Sequence, residues 1–187
     1  GHSEATDLEA LNSIEAGASG ITHLFNAMSP LSHRSPGMVG VGLSNSRVIC
    51  GLIADGHHVA NTALKVAFAA RGAKGLALVS DAMPSAAGGP AHFKLQGRTV
   101  ERIGTKLTLE NGTLAGSGVT LLQSIRYLVN EIGIELADAL EMATHTPARF
   151  LKVNRQYGRI APGFKASLLH LDDKLIAQKT WIDGLAS

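Results

Sequence analysis

The sequence predicts an α/β fold in which short parallel strands alternate with helices, and three observations carry that prediction. Near-continuous apolar runs of strand length end on a polar residue followed by a Gly, Pro or small-residue turn, as in strands covered on both faces. Other stretches place apolar residues at helical spacing. The composition is 45% apolar, 17% charged and only 4% aromatic, with 21 glycines in 187 residues, so the core must be built from Ala, Leu, Val and Ile and punctuated by tight turns. That balance excludes a disordered chain. With 17 basic against 15 acidic residues the net charge is +2, which excludes a purely electrostatic nucleic-acid binder. The single Cys50 excludes a disulfide framework within the chain and a cysteine-based zinc site, leaving histidines and carboxylates as the ligands for any metal. The longest apolar runs, such as residues 48–54, fall well short of the roughly 20 residues of a membrane span. No signal-peptide pattern opens the chain, so a soluble cytoplasmic protein of one domain, or one domain with a small appendage, is expected.

The elements follow in order. Thr6-Asp7-Leu8-Glu9 reads as a capping box, and Leu8, Leu11 and Ile14 share one face, so a helix is expected over 6–16, ended by Gly17. Glu4, Glu9 and Glu15 are assigned to this helix. Residues 21–25 form a short apolar run with His23 at its centre, leading into Asn26-Ala27-Met28 and a Pro- and Ser-containing loop that holds Arg34. Residues 47–54 read as a buried strand ending at Asp55-Gly56-His57-His58. A helix over 61–71 closed by Gly72 and a strand over 75–80 ending at Asp81-Ala82-Met83-Pro84 complete a βα rhythm. From 88 to 116 the texture becomes alternating with Gly turns, and Asn111-Gly112 is a strong hairpin signal. Leu121, Leu122, Ile125, Leu128, Val129 and Ile132 mark a long helix, and 136–143 another. Thr146-Pro147 reads as a cap and first-turn proline of a last short helix. Strands over 166–171 and 176–182, with Asp183-Gly184 as a turn, end the chain.

Four polar groups, His2, His23, His58 and Asp81, each stand at or just after the end of a candidate strand, separated by 21, 35 and 23 residues. One unit of a (β/α)₈ barrel takes roughly 30 residues, and its catalytic groups gather at the strand ends, so these spacings fit side chains delivered to one rim. Imidazoles and a carboxylate are the donors of a catalytic divalent ion with an open position for water. A strand-end histidine is also a common structural residue, and His57 is equivalent to His58 by position. His33, His92, His145 and His170 read as surface or structural, and Gly88-Gly89 as a turn.

Gly1-His2-Ser3, Thr22-His23-Leu24-Phe25-Asn26-Ala27-Met28, Arg34-Ser35-Pro36-Gly37, Ile53-Ala54-Asp55-Gly56-His57-His58-Val59, Leu78-Val79-Ser80-Asp81-Ala82-Met83 and Leu114-Ala115-Gly116-Ser117 occur in the order and at the spacing of one family. The chain resembles the N-acetylglucosamine-6-phosphate deacetylases, and its Thr146-Pro147-Ala148 and Gly158 to Gly163 segments resemble the closing part of many metal-dependent amidohydrolases. The resemblance implies the C-terminal part of a TIM-like (β/α)₈ barrel over 1–157, followed by strands of a small β domain over 158–187. It implies His2 and His23 as metal ligands, with Zn²⁺ expected ahead of Fe²⁺, Co²⁺ or Mn²⁺, and Asp81 as the catalytic acid/base. Asn26, Ala27, His58, Leu114, Ala115 and Gly116 are implied as contacts to a phosphorylated amino sugar, and Arg34 as a phosphate contact reaching a neighbouring subunit of a homodimer. No nucleic acid or membrane partner is expected. Two departures stand out: Ser167 where such enzymes usually carry Asp, and Lys152 where a Gly often stands. The family's chain is about twice as long and supplies a further Glu ligand and a carbonyl-polarising His upstream, neither of which has a counterpart here. The rival readings are an amidohydrolase for another N-acyl or cyclic amide, which Arg34 and His58 argue against, and an inactive half of the deacetylase with an incomplete metal site.

Overall fold

The computed structural model describes residues 1–186 as an α/β chain. Helix α1 (Asp7–Glu15) starts with the expected capping box: Thr6 Oγ1 accepts from the Glu9 amide at 3.3 Å and the Glu9 carboxylate accepts from the Thr6 amide at 2.8 Å. Glu4 lies ahead of this helix rather than in it. Strands β1 (Gly20–Ile21), β2 (Ile49–Leu52) and β3 (Leu76–Leu78) form a three-stranded parallel sheet in sequential order, with Ile21 opposite Cys50 and Cys50 opposite Leu76. The strand expected over 21–25 is shorter than its apolar run. The backbone leaves the sheet at His23 (φ 28°) and Phe25 (φ 80°), while the Leu24 amide still donates to Gly51 O at 2.8 Å.

Helix α2 (Gly37–Ser44) occupies what reads in sequence as loop. A Cβ at Gly42 would lie 2.9 Å from Leu24 Cδ1 and 3.1 Å from Ile21 Cδ1, so glycine lets this helix lie close upon the sheet. Helix α3 (Asn61–Gly75) runs past the expected stop, but Gly72 breaks its geometry at φ 60°, ψ 178°. A core of Leu24, Val48, Leu52, Leu64, Leu76 and Leu128 joins sheet and helices, each 1% exposed or less. Burying each such aliphatic side chain contributes about 1.5–3 kcal/mol.

After β3 and a 3₁₀ turn (Pro84–Ala87) comes an antiparallel sheet of β4 (His92–Leu95), β5 (Arg98–Ile103), β6 (Lys106–Leu109) and β7 (Leu114–Ser117), paired in chain order. It carries a small core of its own in Val100, Leu107 and Ala115. Asn111-Gly112 makes the β6–β7 connection, with Gly112 at φ 81°. Helix α4 (Leu121–Tyr127) begins with a second capping box, Thr120 and Gln123, passes into a π-helical turn (Leu128–Ile132) and stops at Gly133 (φ 81°). Helices α5 (Leu136–Ala143) and α6 (His145–Phe150) follow. Thr146 is no cap: it is fully buried inside α6 and its hydroxyl donates to Ala73 O at 2.8 Å, tying α6 to the end of α3. The chain ends in an antiparallel sheet of β8 (Leu168–Leu171), β9 (Ala177–Ile182) and β10 (Leu185–Ala186), with Asp183-Gly184 between the last two. No helix among the described residues is long and apolar enough to cross a membrane.

Candidate active site

The C-terminal ends of the parallel strands hold the site. Ser3 forms a parallel bridge with Met28: its amide donates to Ala27 O and its carbonyl accepts from Ser29, both at 3.0 Å. That bridge holds His2 beside the 23–28 turn. The rings of His2 and His23 meet edge to face, with centroids 4.9 Å apart and planes at 78°. Asn26 stabilises the turn by donating its side-chain amide to Leu24 O at 3.3 Å. His23 and Asp81 line one cavity of about 380 Å³ with Ile21, Gly51, Val79 and Phe150.

Backbone strain marks the same place. Among the described residues nine non-glycine positions have positive φ, and five of them are His2, His23, Phe25, Ala27 and Asp81. Each such conformation costs on the order of 1–3 kcal/mol and persists only where the surroundings impose it. Asp81 is fixed through its own carbonyl, which accepts from the Ser117 amide at 2.9 Å, while the Met83 amide donates to Ser117 O at the same distance. The predicted contacts Leu114, Ala115 and Gly116 thus lie on the strand that clamps the Asp81 loop. A Cβ on Gly116 (φ 66°) would lie 2.6 Å from Met83 Cγ, so only glycine allows this approach. The Ala115 side chain is buried in the core of the antiparallel sheet, so its backbone is what it can offer a ligand.

His58 is anchored by a residue the sequence reading passed over. Asp55, 7% exposed, accepts the amides of His57 and His58 on Oδ1, both at 2.9 Å, and the His58 ring Nδ1 on Oδ2 at 2.7 Å. Burial opposes ionisation of this carboxyl, but the His58 ring and the two amides outweigh it and hold it below its usual value. The Asp-Gly-His-His string carries a usable signal, because an Asp whose side chain accepts from amides two and three residues on is an Asx turn. This anchor also breaks the tie between His57, which is exposed, and His58. Arg34 is exposed in the 29–36 loop, and no hydrogen bond or ion pair holds its side chain among the described residues.

The two imidazoles are donors of the kind a divalent ion takes. His23 Nδ1 is fully buried and meets no hydrogen-bond partner among the described residues, an expensive arrangement that only a partner at that nitrogen would relieve. No group of three or more His, Cys, Asp or Glu side chains able to hold an ion occurs among the described residues.

Comparison with known proteins agrees with this architecture. Residues 1–186 match the model of the amidohydrolase family. The chain is 41% identical over 184 residues to an N-acetylgalactosamine-6-phosphate deacetylase of Shewanella sp. (strain ANA-3), an alignment covering 98% of this chain and 46% of that one. Its fold superposes with a TM-score of 0.96 on the crystal structure of N-acetylglucosamine-6-phosphate deacetylase from Pasteurella multocida, at 35% identity, covering 100% of this chain and 49% of the other. A structure from Mycobacterium smegmatis in complex with N-acetyl-D-glucosamine-6-phosphate matches with a TM-score of 0.90 at 32% identity, covering 100% of this chain and 50% of that one. The chain thus spans about half the length of these relatives. The full-length family match, on a site of paired histidines and a strand-end aspartate, places the chain in the amidohydrolase family.

Proposed function

We propose that the chain serves the hydrolysis of N-acetylglucosamine 6-phosphate to glucosamine 6-phosphate and acetate. The observation that carries this reading is the convergence of the His2–His23 pair and Asp81 on the strand ends, with His23 and Asp81 on one cavity. It is supported by deacetylases of phosphorylated amino sugars among the similar proteins, one of them bound to N-acetyl-D-glucosamine-6-phosphate. On this reading the sheet and its helices are part of a TIM-like barrel.

His2 and His23 would hold a divalent ion, for which Zn²⁺ suits an imidazole donor set. Such an ion supplies Lewis acidity, lowering the pKa of water towards neutrality and polarising a carbonyl. Asp81 takes a proton from the attacking water as its oxygen bonds to the acetyl carbon, then passes it to the nitrogen as the C–N bond breaks and acetate departs. The clamp on the Asp81 backbone keeps its carboxylate at the cavity for both transfers. Asn26, Ala27, His58 and the backbone of Leu114, Ala115 and Gly116 position the sugar phosphate. Arg34, exposed and without a partner among the described residues, would donate its planar fork to a phosphate in the second copy of a homodimer. A phosphorylated sugar does not cross membranes unaided, so an enzyme that consumes it works in the cytoplasm where it is made.

A second reading, hydrolysis of the galactosamine epimer, is favoured by the 41% identity to the Shewanella enzyme. Acetate release from both 6-phosphates by the purified chain with added Zn²⁺ separates them. Asp81→Asn is expected to reduce the rate on the preferred sugar by on the order of 10²–10⁴-fold, and His2→Asn with His23→Asn to abolish Zn²⁺ binding. Release that survives Asp81→Asn would sink the mechanism, and absence of release from a Zn²⁺-loaded chain would sink the reading for the chain on its own.

A further inference from the structure

We propose that Asp55 is a positioning residue that sets the tautomer and direction of His58, holding Nδ1–H inward and presenting Nε2 to an anionic phosphoryl group. The proposal rests on the reading of His58 as a sugar-phosphate contact. Three observations carry it. Asp55 Oδ2 lies 2.7 Å from His58 Nδ1, and the other carboxylate oxygen is occupied by the amides of His57 and His58, so the carboxylate cannot rotate away without losing two hydrogen bonds. The side chains of both residues are buried, His58 at 6% and Asp55 at 0% exposure, so the pair is little screened by solvent. His58 Nε2 meets no partner among the described residues and is not one of the fully buried unpartnered atoms, which leaves it as the open end of the ring.

The turn carrying the pair is itself held. Gly56 has φ 76°, and a Cβ there would lie 2.7 Å from Tyr127 Oη, whose hydroxyl donates to Asn61 Oδ1 at 2.6 Å. The turn is therefore pressed between β2 and the end of α4, and the ring is pre-organised before a ligand arrives. A carboxylate can only accept, so the nitrogen facing Asp55 must carry hydrogen. A free histidine side chain favours the opposite neutral tautomer, with hydrogen on Nε2. The structure thus predicts an inverted tautomer balance at His58; with Nδ1–H held by Asp55, Nε2 donates to a phosphoryl oxygen only when it carries a second proton, and the Asp55 carboxylate behind the ring is the counter-charge to the imidazolium so formed.

Long-range ¹⁵N–¹H NMR of the whole chain reads this directly. At a pH where the ring is neutral, wild-type His58 should show the Nδ1–H pattern. In Asp55→Asn, the amide oxygen can keep the two backbone bonds while its NH₂ faces the ring, so the pattern should switch to Nε2–H. Binding of glucosamine 6-phosphate should weaken on the order of tenfold, the scale of losing an outer-shell partner. An Nε2–H pattern in the wild type overturns the proposal, and this measurement does not depend on the variant folding. So does a folded Asp55→Asn variant with unchanged tautomer and affinity. An Nδ1–H pattern that supports Asp55's role, with no His58 response to glucosamine 6-phosphate, would instead overturn the ligand reading of His58.

Discussion

At the scale of single residues, the departures from ordinary backbone geometry are informative in opposite ways. The strain at His2, His23 and Asp81 accompanies chemistry-bearing side chains, whereas Lys152 (φ 60°) is strained in the service of a helix end. After α6 the Val153 amide donates to Ala148 O at 2.9 Å and the Lys152 amide to Arg149 O at 3.0 Å, the paired bonds of a Schellman motif with Lys152 at its left-handed position. That geometry explains the Gly expected there from the family resemblance. Lys152→Gly should therefore stabilise the chain by about 1 kcal/mol, the cost of left-handed backbone in an L residue less the extra freedom of glycine when unfolded. A shift of the urea midpoint to higher concentration with unchanged m-value checks it. No gain would mean the lysine side chain compensates for its backbone. The other departure, Ser167, has a smaller consequence, since its hydroxyl accepts from the Asp183 amide at 3.3 Å and donates to Asp183 Oδ1 at 3.5 Å, both beside the last turn.

At the scale of elements, what was legible in the sequence was local. The Thr6–Glu9 box, the apolar run of β2, the Asn111-Gly112 hairpin and the spacing of α5 each declare themselves through neighbours in the chain, and each is present. Helix α2 was illegible because its three glycines, Gly37, Gly40 and Gly42, argue against a helix by propensity, and the reason they are tolerated lies across space. The same holds at the site: strand-end position picks out His2, His23 and Asp81, but the clamp of Asp81 by Ser117 joins residues 36 apart in sequence and no spacing rule announces it. Asp55 lay in plain view and was passed over because its work is to hold another residue. If glycine at 42 is there for close approach, Gly42→Val must push against Leu24, Ile21 and Cys50, all buried at 5% exposure or less. The expected loss is about 1–3 kcal/mol, the usual cost of overpacking. A variant as stable as the parent by thermal melting would show that α2 can shift freely, and the account of that helix would fall.

At the scale of the whole molecule, buried titratable groups bound the pH range over which the fold is stable. His145 is buried, its Nδ1 lacks a partner among the described residues and its Nε2 faces the Arg159 guanidinium at 2.9 Å. Burial first, then the charge of Arg159, holds its pKa below the ordinary 6.5. Between that lowered value and 6.5 the unfolded chain binds a proton the folded chain refuses, so stability is full above about pH 6.5 and falls as the pH drops through this window. Asp55 extends the acid limb: its carboxyl also titrates below its ordinary 3.8 when folded, so its contribution is present above 3.8 and is lost as pH falls beneath it. Cys50 acts at the other end. Burial, only partly offset by Arg71, pushes its thiol from 9.0 up to about 11. There the unfolded chain gives up a proton the folded chain keeps, so stability is present below pH 9.0 and declines as pH rises towards 11. Thermal unfolding across pH at constant ionic strength should therefore show a plateau between about 6.5 and 9.0 with a shoulder on each side. His145→Gln, which can still accept from Arg159, should flatten the acid slope just below 6.5 and leave the alkaline limb alone. Cys50→Ala should flatten the alkaline slope only. An acid slope undiminished in His145→Gln would show that other groups titrate there, and the assignment of that boundary to His145 would be wrong.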